Sequence, residues 1–334
     1  MASAPNVRLL SLQAGRGLAA LAVVAFHTGT HVKVQVGPLP AVLAAPMAFG
    51  YLGVDFFFVL SGFIIYFTSH EQAGQPGWAG RFLHSRLSRI FLPYWPVAIC
   101  LGLLYLLFPD ISQSRQTWDW FTTLTLLPTS GSPALRVAWT LQHELVFYAL
   151  ALACLATGQV LAGACVSGVA ILFLTLLGSG RWLTYPLIDL EFLFGVAAAW
   201  WIVAGKARWN ILPAVAGLAL VALYIVWADR YFSVLFGLGV ALVLVTAVRL
   251  EQTGRIHVPR APAFLGDASY AIYLVHLPLI SIVDRLAGQP LLAALLCVTL
   301  SVAAGAAYHL AVERPLLRAA RGRLRRRGIA AASA

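Results

Sequence analysis

Ten apolar runs of about 20 residues dominate this chain, and a helix needs a run of that length to cross the hydrocarbon core of a bilayer. They lie near 9–28, 47–67, 90–108, 137–157, 159–178, 183–204, 211–228, 231–250, 264–284 and 290–312. No water reaches that core, so each segment must satisfy its own backbone amides, and such runs can only become helices packed on helices. Composition agrees: of 334 residues, 60% are hydrophobic and 10% charged, against roughly half and a quarter in soluble domains. Soluble single-domain enzymes, disordered chains and secreted disulfide scaffolds are thereby excluded. The expected fold is an all-α integral membrane protein, a bundle of about ten transmembrane helices with no soluble domain. Residues 1–318 form the membrane domain and residues 319–334 a basic cytoplasmic tail. The apolar stretch 121–127 is too short to span and is expected to be interfacial or re-entrant. No cleavable signal peptide is expected, because the first run carries Arg16 and lacks a small-residue cleavage site. Cys100, Cys154, Cys165 and Cys297 lie in apolar runs without a CxxC pair and read as buried free thiols.

The net charge of +11 acquires meaning only once the charges are located. With the N-terminus in the cytoplasm and ten alternating spans, 17 of the 23 basic residues fall inside. They are Arg8, Arg16, the 68–89 loop with Arg81, Arg86 and Arg89, then Lys206, Arg208, Arg249, Arg255, Arg260 and the tail from Arg314 to Arg327. Lys33, Arg115, Arg136, Arg181, Arg230 and Arg285 fall outside. That asymmetry follows the positive-inside rule and puts both termini in the cytoplasm. The tail sequence RAARGRLRRR reads as a topology anchor that touches anionic membrane lipid. It is not read as a nucleic-acid site.

Ionisable residues within spans are costly and usually mark function. Here they cluster: Arg16 and His27 in the first run, Asp55 in GVDFFFVLSGF, His143 and Glu144 in WTLQHELVFY, Asp189 and Glu191 in the sixth, Asp267 and His276 in LGDASYAIYLVHLPL. They must face one another or a wet cavity; the plainer reading is that they only lock helices together. Asp267 also has a plain reading as a helix cap after Gly266. Arg16 and His27 are eleven residues apart, which returns to within about 20° of the same helix face with a rise of roughly 16 Å. One stripe therefore carries a cation able to hold an anion and an imidazole able to act as base. Thr140, Glu144 and Tyr148 share a face at i, i+4 and i+8. There a carboxylate can orient an imidazole, take a proton or bind hydroxyls, and Trp139 and Tyr148 can stack on a ring or a thioester arm. Arg86 and Arg89 share a face just before the third run, and guanidinium forks match phosphate; an ordinary positive-inside loop reads the same way. Pro93 and Pro96 predict a kink or a helix start there. No HExxH or His-x3-His spacing is present, so no metal is expected.

Together these segments resemble the acyltransferase-3 family of bacterial membrane O-acyltransferases, and are most similar to the stand-alone exopolysaccharide O-acetyltransferases. The resemblance rests on LQAGRGLAALAVVAFH with Arg16 and His27, GYLGVDFFFVLSGFIIYF, RFLHSRLSRIFLPYW with its RxxR at Arg86 and Arg89, AWTLQHELVFY, LGDASYAIYLVHLPL and VERPL, in family order. It implies an inner-membrane enzyme with ten spans, an acyl-CoA donor (acetyl-CoA foremost) arriving from the cytoplasm, a glycan or lipid-linked oligosaccharide acceptor, and no permanently bound cofactor. It implies His27 as the catalytic residue, with Arg16 as its essential companion. Arg86 and Arg89 are the implied donor-binding groups. To these the reading of the residues adds Glu144 beside the catalytic pair, Tyr148 and Trp139 on the donor, and Asp55, Ser61 and His276 as supporting residues. Two departures stand out: Gln13 where many members carry Asp, and Gln142-His143 where many carry Ser-Val. The competing function is a proton-coupled secondary transporter relaying through Asp55, Glu144 and His27. It would call for repeat symmetry between halves, and the sequence shows none.

Overall fold

The computed structural model of the protein describes residues 9–108, 118–127, 129–158, 160–176, 188–207, 210–227 and 233–322. Among these residues the regular structure is helical, apart from one isolated bridge between Trp118 and Ser132. The helices in chain order are α1 (Leu10–Gln35), α2 (Ala41–Ala48), α3 (Leu52–Ser69), α4 (Trp78–Leu107), α5 (Trp120–Thr125), α6 (Trp139–Thr157), α7 (Val160–Leu176), α8 (Asp189–Val203), α9 (Leu212–Trp227), α10 (Ser233–Gln252), α11 (Arg260–Leu286) and α12 (Pro290–Tyr308). A π-helical turn, His309–Glu313, follows α12, and helix resumes to residue 322.

Seven helical segments are long and apolar enough to cross a membrane: α1, α2 with α3, α4, α6, α10, α11 and α12 with its extension. The other three expected spans fall on α7, α8 and α9, which have 17, 15 and 16 residues. Among the described residues, then, seven of the ten expected spans are matched by helices long enough to cross, and the other three by helices described over 15–17 residues. Large apolar side chains such as Leu103, Leu107, Leu218, Val226 and Leu295 point outward. Lipid, unlike water, accommodates such a surface without cost.

Several local expectations are revised. The helix expected from residue 90 begins at Trp78, so Arg81, Arg86 and Arg89 ride on α4 instead of a loop. Pro93 and Pro96 sit inside that helix. Tyr270 donates its hydroxyl proton to the Ile90 carbonyl (2.9 Å) and Tyr308 to the Pro93 carbonyl (2.7 Å), bracing the backbone from α11 and the end of α12. Asp267 lies within α11, past its first turn, and not at a cap position. Residues 121–127 become the six-residue α5 and its exit, capped by Asp119, which accepts from the Thr122 amide at 2.7 Å. Of the cysteines, Cys297 is buried and Cys154 partly so, but Cys100 and Cys165 face outward. The helix after α12 continues to residue 322. Arg8, Arg115, Arg181, Arg208, Arg230 and residues 323–334 lie outside the described residues.

Small residues let the helices approach closely. Gly62 of α3 lies against the Phe192 backbone, and Gly195 of α8 against the Val59 carbonyl and the Phe63 amide. Either Cβ would overlap those atoms. Gly17 and Gly266 do the same for α1 and α11, which run parallel, and Gly305 packs α12 antiparallel on Ile272 of α11. The open amides at the start of α1 are closed from another helix: Glu251, at the end of α10, accepts from Leu10 N (2.6 Å) and Ser11 N (2.9 Å). An acidic group at that terminus also suits the helix dipole.

Candidate active site

Along α1 the polar chemistry divides into two levels. Arg16 marks one, the arginine end, and His27, about 16 Å further by helix rise, marks the other. The described basic residues divide accordingly. Arg16, Arg86, Arg89, Arg249, Arg260 and Arg314 lie toward the arginine end, whereas Lys33, Arg136 and Arg285 lie toward the histidine end.

At the arginine end a cavity of about 90 Å³ is lined by Arg16, Arg86, Arg89, Glu144, Tyr148 and Tyr273, among others. Water needs about 10–15 Å³ measured in this way, so the cavity holds several waters or a narrow chain. Four helices supply those six groups: α1 gives Arg16, α4 both other arginines, α6 Glu144 and Tyr148, and α11 Tyr273. Arg86 is buried; its Nη2 donates to Thr68 Oγ1 at 2.8 Å and its plane lies over the Phe82 ring. Its Nε has no hydrogen-bond partner among the described residues. Glu144 accepts from the Tyr148 hydroxyl at 2.5 Å, the i, i+4 pairing expected from the spacing. Arg16 has Gln13 Oε1 at 3.5 Å, and the charges of Arg89, Glu313, Glu144 and Asp267 all reach it. Ser61 lines the same cavity.

Tyr273 connects the two levels. Its hydroxyl donates to the Val137 carbonyl (2.9 Å) and lies 2.9 Å from Thr140 Oγ1. Its ring is 5.6 Å from His276, and the His276 ring is 5.2 Å from His27. His276 Nδ1 bonds to the Tyr273 carbonyl at 2.7 Å. Since a carbonyl only accepts, that nitrogen carries the proton and Nε2 presents a lone pair. One turn beyond His27, His31 Nδ1 pairs with Asp284 Oδ2 at 3.1 Å.

The structure thus brings Arg16, Arg86, Arg89, Glu144, Tyr148 and Ser61 to one cavity and places His27 with His276 beyond its Tyr273 wall. Glu144 stands with the arginines in the cavity, and the ring beside His27 is that of His276. Trp139 does not line the cavity; it lies edge-on to His143 at 5.6 Å. His143 Nδ1 is 2.9 Å from Asp189 Oδ1, a buried pair joining α6 to α8. Asp55 is buried on α3 within charge reach of Glu191 of α8, also away from the cavity lining. Sequence reasoning missed Tyr273, although Tyr270, Tyr273 and His276 follow one another at intervals of three. It also missed Asp284, and Glu313, which accepts from His309 Nδ1 at 2.8 Å across the π-helical turn. Such turns are frequent at functional sites, but nothing in linear spacing announces one.

An arginine-lined cavity ending near an imidazole suits transfer of a group from an anionic carrier, and comparison with known proteins agrees. The acyltransferase domain model of the acyltransferase-3 family matches residues 9–310. The chain is similar to the exopolysaccharide production protein ExoZ of Rhizobium meliloti (strain 1021), with 34% identity over 308 residues, covering 83% of this chain and 92% of that protein. No solved structure matches at a significant level. The chain belongs to the acyltransferase-3 family and is a membrane acyltransferase.

Proposed function

We propose that the protein transfers an acyl group, acetyl foremost, from cytoplasmic acyl-CoA to a hydroxyl of an exopolysaccharide or another cell-surface glycan precursor at the bacterial inner membrane. The observation that carries this reading is the cavity in which three arginines converge and whose Tyr273 wall adjoins His276 and His27. The CoA phosphates bind Arg86 and Arg89 at the cytoplasmic end, where guanidinium forks match phosphate oxygens. The pantetheine arm runs along the α1 stripe and presents the thioester toward His27. By one route His27 removes the proton of a sugar hydroxyl that attacks the thioester carbonyl; the C–S bond breaks and CoA leaves as the thiol, taking that proton from His27. By the other route His27 attacks the thioester, CoA leaves as the thiolate that takes up the proton, and the acyl group passes from the imidazole to the sugar oxygen, whose proton returns to His27. Arg16 holds a donor anion or stabilises the oxyanion that develops on the thioester carbonyl. Glu144, hydrogen-bonded to Tyr148 and near the arginines, holds that end of the cavity in place. The similarity to ExoZ supports an exopolysaccharide acceptor.

The test is incubation of purified protein with radiolabelled acetyl-CoA, with and without a polysaccharide precursor. Label on the glycan, or slow CoA release without it, is the expected result. Neither label transfer nor CoA release with acetyl-, succinyl- or longer acyl-CoA overturns the reading.

A further inference from the structure

A second feature stands directly behind the His27–His276 pair, in the seam where α1, α11 and α12 meet. Each helix presents that seam a buried stripe with residues four apart. Toward the arginine end, Ala20 and Val24 pack against Ala268 and Ile272. Toward the histidine end, Val32 packs with Ile280, Ala293 and Cys297. Between these two apolar clusters the three stripes place Thr28, His276 and Ser301, one from each helix, at the same level. Gly305 against Ile272 sets the α12 register, and Gly17 against Leu265 and Gly266 sets that of α1.

All three residues are 0% exposed. Thr28 Oγ1, His276 Nε2 and Ser301 Oγ have no hydrogen-bond partner among the described residues. That is unusual for hydroxyls in helices, which bond back to the carbonyl four residues earlier. Thr30, Thr68 and Thr299 of this chain do so, at 3.0, 2.7 and 2.7 Å; Thr28 and Ser301 do not. Burying three such atoms without partners is costly. Their chemistry is complementary to one small molecule: an imidazole lone pair that accepts, and two hydroxyls that each donate or accept. A water with about three polar partners is the usual occupant of such a layer. Such a water would donate one proton to His276 Nε2 and the other to one hydroxyl oxygen, and accept from the second hydroxyl.

We propose that Thr28, His276 and Ser301 together bind one buried water, which locks the His276 ring beside His27 and so acts as a positioning element for the histidine pair. Its functional part rests on the acyl transfer proposed above; its structural part does not. The experiment uses the full chain with ¹⁵N-labelled histidine in lipid nanodiscs, with His276→Asn identifying the signal. Polarisation transfer from water to ring nitrogens is then compared between wild type, Thr28→Val/Ser301→Ala and Thr28→Ser. The expected result is a water contact at His276 Nε2 in the wild type, lost in the double variant and kept in Thr28→Ser. The double variant is expected to keep its KM for acyl-CoA and to lose about 10–100-fold in kcat, the scale on which a misplaced reacting group costs rate. No water contact in the wild type, or a contact that survives the double variant unchanged, overturns the site. Loss of the contact with unchanged kcat overturns the positioning role. A wild type that shows the contact but transfers no acyl group supports the site and removes the acyl-transfer reading alone.

Discussion

Among the described residues the His27 ring lies beside two aromatic rings, Phe26 and His276, each with its centroid 5.2 Å away. His27→Ala and His27→Gln are both expected to abolish transfer while donor binding persists, because the imidazole acts in the transition state and not in ground-state binding. Loss of general-base catalysis alone lowers rate by about 10²–10⁴. A Gln variant with near-normal turnover in the labelled acetyl-CoA assay would show that His27 only packs, and would move the base to His276. The arginines are expected to behave oppositely. Arg86→Ala with Arg89→Ala should weaken acyl-CoA affinity more than it slows turnover at saturating donor, each lost charge-assisted contact costing about 1.5–3 kcal/mol. Lys at both positions should rescue partly, since charge returns without the fork. Unchanged affinity in isothermal titration of the double Ala variant would leave the two arginines as topology signals. The shared face of Arg16 and His27 was legible in the sequence, because eleven residues along one helix preserve a face whatever the partners are. The partner of His27 was not. His276 lies 249 positions away, and only the parallel packing of α1 on α11 sets the two rings side by side.

At the scale of the element, the contact between α3 and α8 is a backbone-on-backbone approach at Gly62 and Gly195. α8 carries Asp189 and Glu191, and α3 carries Ser61 of the cavity, so spreading these helices displaces one wall of the site. Gly195→Val is expected to destabilise the protein by about 1–3 kcal/mol through overpacking, visible as a lower midpoint in thermal unfolding in detergent, and to reduce transfer. An unchanged midpoint would mean that the helices separate without cost. Helix α4 shows why element ends are poorly read from hydropathy. Its first turns carry Arg81, His84, Arg86 and Arg89, polar enough to resemble a loop. Yet Trp78, Phe82 and Ile90 are buried on the same helix and hold those turns against the bundle.

At the scale of the molecule, the basic residues separate toward the two ends of the bundle, with the arginine-lined cavity near the more basic one. We propose that this end is cytoplasmic, with both chain termini there, and that the membrane domain spans 1–318. Reporter fusions after Arg327 are then expected to read cytoplasmic, and fusions at Gln35 or Gln113 to read external. A C-terminal fusion that reads external would require an odd number of crossings and remove one of the three short helices α7, α8 and α9 from the membrane. With that orientation the proposed donor phosphates would sit on the cytoplasmic side and His27 deeper in the bundle.

The apolar runs by themselves determined that this chain becomes a helical membrane bundle, since in hydrocarbon no other open structure satisfies its backbone. Periodicity along single helices likewise determined that Arg16 shares a face with His27, Arg86 with Arg89, and Glu144 with Tyr148. Which helices meet was decided only by tertiary structure. The pairing of α1 with α11 and of α3 with α8 depends on glycine contacts between segments far apart in sequence. That packing sends Glu144 to the arginines and His276 to His27. It also gathers Thr28, His276 and Ser301 into one polar layer. Each of those three reads in the sequence as a lone polar residue in an apolar run, and linear spacing carries no information about its neighbours on other helices.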